Sequence, residues 1–148
     1  MYKCKYFKAI ELVSPSVYNI HGDAAIKYIS TDILIFLDTL REDLKVPILV
    51  NRPKVGITQR GLRTTLDEIV KNSVKRDRLY LSAHVLGRAV DFEVPGKDMK
   101  EISSLIINNP ERYNTITRME NPNITLKKGY IHVDNIATEK KRIYIFNP

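Results

Sequence analysis

Six apolar residues, Ile26, Ile29, Ile33, Leu37, Leu40 and Leu44, recur at helical spacing between Asp23 and Pro47. Intervals of three and four put them on one side of a helix. An apolar stripe of that kind needs a second layer to lie against, so the chain must supply other elements to cover it. The stripe predicts a helix that Asp23 caps and that runs to about residue 44. Pro47 ends it, and PILV at 47–50 reads as a buried strand. The run 33–37 within the stripe is the longest apolar run, at five residues. A membrane helix needs about 20, so no membrane insertion is expected.

The rest of the chain mixes the two periodicities. Residues 5–13 read as a short amphipathic helix, and 14–23 as a loop with turn residues at both ends. Residues 53–62 carry Pro53, Gly56 and Gly61 and are loop-like. Residues 65–74 read as a helix, and RLYLS at 78–82 and AVDFEV at 89–94 as strands. A helix is expected at about 98–108, with Met99, Ile102, Leu105 and Ile106 on one face. Strands at 115–119 and 130–135 are joined by a polar loop, 120–129, and RIYIF at 142–146 is a last strand. Hairpin-length links between the late strands predict an α+β fold with a mainly antiparallel sheet.

The length of 148 residues suits one domain, 1–148. Lys and Arg number 24 against 17 Asp and Glu, a net charge of +7. That sign favours an anionic partner, whether nucleic acid, an acidic wall polymer or an anionic membrane. The basic residues are spread: Lys3, Lys5 and Lys8, then Lys71, Lys75, Arg76 and Arg78, then Lys140, Lys141 and Arg142. No nucleic-acid motif or interleaved aromatic platform accompanies them, so no nucleic-acid partner is expected and a wall polymer is the simpler account. Lys5 and Lys8 fall where a secretory leader would be apolar, so no signal peptide is expected. The single cysteine, Cys4, permits no disulfide framework and excludes zinc-finger designs. Any metal site must therefore draw on carboxylates and on His21, His84 and His132.

The segment Ser82-Ala-His-Val-Leu-Gly-Arg-Ala-Val-Asp91 carries the densest chemistry. His84 and Asp91 are metal-ligand types, and Gly87 between them lets the backbone turn. On the strand that follows, Val90, Phe92 and Val94 share the core face, while Ala89 and Asp91 share the other. The small Ala89 leaves room above the sheet beside Asp91. In Gly129-Tyr-Ile-His132-Val-Asp134, His132 and Asp134 share a face with Tyr130. Two His and one Asp with an open fourth position match a catalytic zinc centre. On the residues alone, a solvent-facing Asp91, a plain loop His84 and a core or edge His132 are the more ordinary reading.

SAHVLGRAVD resembles the Ser-x-His-x-x-Gly-x-Ala-x-Asp signature of the zinc D-Ala-D-Ala carboxypeptidases and L-alanyl-D-glutamate endopeptidases of peptidoglycan. IHVD is similar to that family's later x-His-x-Asp strand. The hedgehog signalling domain has the same fold and a similar stretch. YFKAIELV, LDTLREDLKVPILVN, Gly61-Leu-Arg63 and TRME at 117–120 are similar to further segments of small phage and bacterial members, so the likeness runs over nearly the whole chain. The resemblance implies a hedgehog/DD-peptidase-like fold, zinc held by His84, Asp91 and His132, and hydrolysis of peptidoglycan peptides by a monomer. Small size with no leader implies phage-type delivery to the cell wall.

The resemblance also implies a base carboxylate and a substrate Arg. Many members carry Glu-x-x-His, but that position is Gly129 here, preceded by Lys127 and Lys128. Glu120, at the end of the partner strand, takes the base role by likeness to hedgehog-type members. Asp134 is its rival, with orientation of a ligand His as its expected part. Arg63 is the substrate-binding Arg, with Arg52 and Arg60 as nearby rivals. Ser82 bonds substrate or the turn, Arg88 is structural, His21 is a plain loop residue and Cys4 is inert. The missing Glu-x-x-His keeps a second expectation open, an inert zinc-containing binding module of the same fold.

Overall fold

The computed structural model describes residues 2–76, 79–140 and 143–148. Four short strands form one mixed sheet: β1 (Ala89–Phe92), β2 (Arg118–Glu120), β3 (Ile131–Asp134) and β4 (Tyr144–Phe146). The helices are α1 (Ala9–Leu12), α2 (Pro15–His21), α3 (Thr31–Leu44), α4 (Glu68–Val74), α5 (Met99–Asn108) and α6 (Pro122–Thr125). Strand order is β1-β3-β2-β4, with β3 antiparallel to both neighbours and β2 parallel to β4. The expected α+β class and the antiparallel centre of the sheet are present.

Strand alternation sorts the sheet into two chemically different faces. Val90 pairs with Val133 and Phe92 with Ile131, while Met119 also pairs with Val133; these residues are buried in the core. The helix α3 covers that face with Ile33, Phe36, Leu37 and Leu40, all buried. The Phe36 ring lies 5.9 Å from Phe92 and 5.9 Å from Tyr113, in tilted and edge-to-face contacts. The other face pairs Asp91 with His132, and Asp134 with both Ala89 and Arg118. Continuing the β2–β3 register past Met119 brings Glu120 level with His132.

Several elements depart from the sequence expectation. The predicted helix from Asp23 is split into a 3-10 segment, Gly22–Tyr28, and α3. Ile29 and Ser30 between them are extended, with ψ of 135° and 133°. There the Ser30 N–H donates to the Gly87 carbonyl at 2.8 Å instead of continuing a helical ladder. Gly87 itself has φ +66°, and a Cβ on it would meet the Tyr28 carbonyl oxygen at 2.0 Å. The break in the helix is thus where the His84–Asp91 turn docks. At its far end α3 stops at Lys45, in the left-handed region, two residues before Pro47.

Residues 14–23 contain α2 rather than a loop, because Pro15 stands at a first helical position that needs no N–H. The helix predicted over 5–13 shrinks to α1. The strand expected at 47–50 is reduced to one bridge, Leu49 to Glu93. The helix expected from 65 begins at Glu68, because Asp67 caps the turn before it and accepts from the Thr64 N–H at 2.6 Å. Residues 79–82 form no strand, with Leu79 and Leu81 exposed and lacking a partner edge. The loop expected at 120–129 holds α6 and a 3-10 turn, Leu126–Lys128. Arg78, Lys141 and Arg142 lie outside the described residues.

Candidate metal centre

His84 reaches the site from a turn, and Asp91 and His132 reach it from paired positions on β1 and β3. All three are buried. His132 Nδ1 lies 2.6 Å from Asp91 Oδ1, and His84 Nε2 lies 3.3 Å from that same oxygen. His84 Nε2 and His132 Nδ1 are 3.3 Å apart. Donor atoms around a tetrahedral zinc with bonds of about 2.0–2.1 Å stand about 3.3 Å apart. Two edges of the observed triangle have that length. The residues that spacing and resemblance single out are the ones the fold brings together as a possible ion-holding group.

The outer nitrogens of both rings are also assigned. His84 Nδ1 faces the Gly61 carbonyl at 2.9 Å, which fixes Nδ1 as the donor and turns the Nε2 lone pair inward. Gly61 is needed there because a Cβ would meet the Leu12 carbonyl oxygen at 1.9 Å. His132 Nε2 faces Asp134 Oδ2 at 3.3 Å. If that nitrogen donates, Nδ1 also turns a lone pair inward. Three acceptors then converge, an arrangement that needs a cation or an added proton. A ligand imidazole whose other N–H meets a carbonyl or carboxylate is the usual support of a metal site. The donor set and its supports fit zinc.

Charge around the cluster follows from the same contacts. Burial pulls the His132 imidazole down, but its bonds to Asp134 and Asp91 outweigh this and raise its pKa to about 9. Burial would raise the Asp91 carboxyl, yet the two imidazoles hold it well below the usual carboxylate range. Asp134 is fully buried, and its tendency to rise is overcome by His132 and Arg118. Arg118 grips Asp134 with two parallel bonds of 2.8 and 2.9 Å. This bidentate fork fixes the carboxylate plane.

Arg63 donates from Nη2 to Asp91 at 3.2 Å, from Nη1 to the Tyr80 hydroxyl at 3.0 Å, and from Nε to the Gln59 carbonyl. Three of its five N–H groups are therefore engaged. Glu120 is buried on the His132 face, its Oε1 makes no hydrogen bond among the described residues, and Lys128 Nζ lies 3.6 Å away. Among the described residues the Ser82 hydroxyl is buried without a partner, while its carbonyl accepts from the Val85 N–H and closes the turn. Arg88 donates from Nε to Asn135 Oδ1 at 2.9 Å. His21 stacks edge-on against Tyr28 beside an apolar groove of about 660 Å³. Cys4 packs on Asp38.

Sequence reading missed Arg118, Tyr80 and Phe146. The Phe146 ring lies 5.8 Å from His132 and under the Arg118 guanidinium at 4.6 Å. Arg118 was findable, since it stands two residues before Glu120 on the same strand face. Phe146 reaches the site only through the parallel pairing of β4, which no local pattern announces. Searches of protein-family models, curated proteins and solved structures found no match to this chain.

Proposed function

We propose that this chain is a zinc metallopeptidase that hydrolyses peptide bonds in bacterial peptidoglycan stem peptides, of the D,D-carboxypeptidase or endopeptidase type. The observation that carries this reading is the convergence of His84 Nε2, Asp91 Oδ1 and His132 Nδ1 within 3.3 Å, beside a buried carboxylate with an oxygen left unbonded. The motif resemblance supplies the substrate class and the hedgehog/DD-peptidase-like scaffold. When bound, zinc supplies a Lewis acid and lowers the pKa of a coordinated water towards about 7.

The protein's own groups then have distinct tasks. Gly61 and Asp134 hold the two imidazoles in their ligand tautomers, and Arg118 holds Asp134. Glu120 accepts a proton from the attacking water and delivers it to the leaving amine. Lys128 Nζ stands 3.6 Å from that carboxylate. Arg63 keeps Asp91 oriented and has two N–H groups left for a substrate oxygen. Ser82 has an unspent hydroxyl for the same purpose. The site of action in this reading is the cell wall.

A second reading, an inert zinc-containing binding module, is favoured by Gly129 standing where a Glu would precede His132 and by Lys128 pairing with Glu120. Defined muropeptides incubated with zinc-loaded protein and read by mass spectrometry separate the two. Chelator-sensitive cleavage, lowered at least 100-fold in Glu120→Gln with zinc retained, is the expected result. Stoichiometric zinc with no cleavage of any muropeptide would overturn the peptidase reading in favour of the binding module.

A further inference from the structure

Of the two arginines that share Glu93, Arg60 is the more buried and the one that lines the pocket beside the metal centre. Its backbone is clamped on both sides. The Arg60 N–H donates to Asn51 Oδ1 at 2.9 Å, and its carbonyl accepts the Asp91 N–H at 2.7 Å. The second bond ties Arg60 directly to a metal-ligand residue. Its side chain is only 16% exposed and lines a pocket of about 290 Å³ together with Arg63, Asp91 and Tyr130. The guanidinium stands 5.9 Å over the Tyr130 ring.

Among the described residues that guanidinium makes no hydrogen bond, and its Nη1 is buried without one. The nearest anion is Glu93 at 3.4 Å, and Glu93 already pairs with Arg52. One carboxylate shared between two guanidinium groups leaves about one positive charge uncompensated. A largely buried guanidinium held by only a shared ion pair is costly, and an arriving carboxylate would take two parallel bonds from its Nε and Nη2, the donors that are not buried. Arg63 differs, since its donors already hold Gln59, Tyr80 and Asp91.

We propose that Arg60 is a specificity-determining residue of this site, binding a carboxylate that the substrate peptide carries close to the scissile bond. The proposal rests on the peptidase reading for the word substrate and deepens it by naming an acidic peptide. Arg63 then orients Asp91 and keeps its two remaining N–H groups for a substrate oxygen other than this carboxylate. The carboxylate has two sources, a free C-terminus or the side chain of an acidic residue.

Calorimetric titration of the full chain, as purified and zinc-loaded, tests this with two peptide pairs. One pair is acetyl-D-alanyl-D-alanine and its C-terminal amide. The other is acetyl-L-alanyl-D-glutamic acid amide and the corresponding D-glutamine peptide. The wild type should prefer the acid in one pair by about 10–100-fold, and that pair identifies the source. Arg60→Gln should reduce the preference to under about threefold with zinc content unchanged, and Arg60→Lys should keep part of it. Where a peptide is cut, KM should rise in Arg60→Gln while kcat holds. Equal affinity for acid and amide in both pairs, or a preference that survives Arg60→Gln, overturns the proposal. Acid preference without cleavage of any peptide keeps Arg60 and defeats the peptidase reading. Cleavage without acid preference does the reverse.

Discussion

His132 faces two carboxylates at once, Asp91 through Nδ1 at 2.6 Å and Asp134 through Nε2 at 3.3 Å. In the metal-free chain this holds its proton to about pH 9, above the ordinary 6.5. The stability from that proton is fully present below pH 6.5 and is lost as pH rises through about 9. A zinc ion held through His132 Nδ1 would displace the same proton, so its binding would run the other way. Between pH 6 and 8 the apparent zinc affinity should rise by about tenfold per pH unit. Competition against a chelator of known pH dependence, followed with the protein in excess, measures this slope. A flat profile would mean that His132 binds no metal through Nδ1.

The elements show why some of this was readable in advance. Alternation in AVDF and IHVD placed Asp91 and His132 on one face, and antiparallel register then set them opposite each other. The helix break at Ile29 and Ser30 was not readable, because the apolar stripe continues through it without a fault. What decides the break is the tertiary bond from Ser30 to Gly87 and the fit of Gly87 against Tyr28. The same holds for 79–82, where alternating leucines imitate a strand that has no edge to join. Gly87 is therefore the hinge point of the motif turn. Gly87→Ala combines a left-handed backbone with a Cβ at 2.0 Å from the Tyr28 carbonyl oxygen. It should cost more than about 2 kcal/mol in urea unfolding and weaken zinc binding through His84. A cost below about 0.5 kcal/mol would show that the turn does not rest on Tyr28.

At the scale of the whole molecule, the sheet separates two jobs. One face packs Val90, Phe92, Met119 and Val133 under α3, and the other carries the ionisable cluster. Each can be weakened separately. Phe36→Ala should lose about 3–5 kcal/mol of stability from the core, while the folded fraction keeps full zinc stoichiometry. Zinc at 100 times its dissociation constant should return about 2.7 kcal/mol to wild type and Phe36→Ala alike. Denaturant midpoints with and without chelator check both values. Unequal zinc stabilisation in the two proteins would show that core and site are coupled through the sheet. The α+β class was legible in the sequence because it follows from local period, whereas the three-residue cluster was named by the motif resemblance, with alternation adding only the strand face of Asp91 and of His132. Phe146, Tyr80 and the engaged state of Arg63 were not legible, since each depends on long-range pairing or loop packing.

The central claim is that His84, Asp91 and His132 hold one metal ion. Its most direct test is zinc titration of the purified chain and of His84→Ala and His132→Ala, with bound metal quantified by mass spectrometry under native conditions. The account predicts about one zinc per wild-type chain, removed by chelator, and at least a 100-fold loss of affinity in each variant. A wild-type chain that binds no zinc, or variants that keep wild-type affinity, would contradict it.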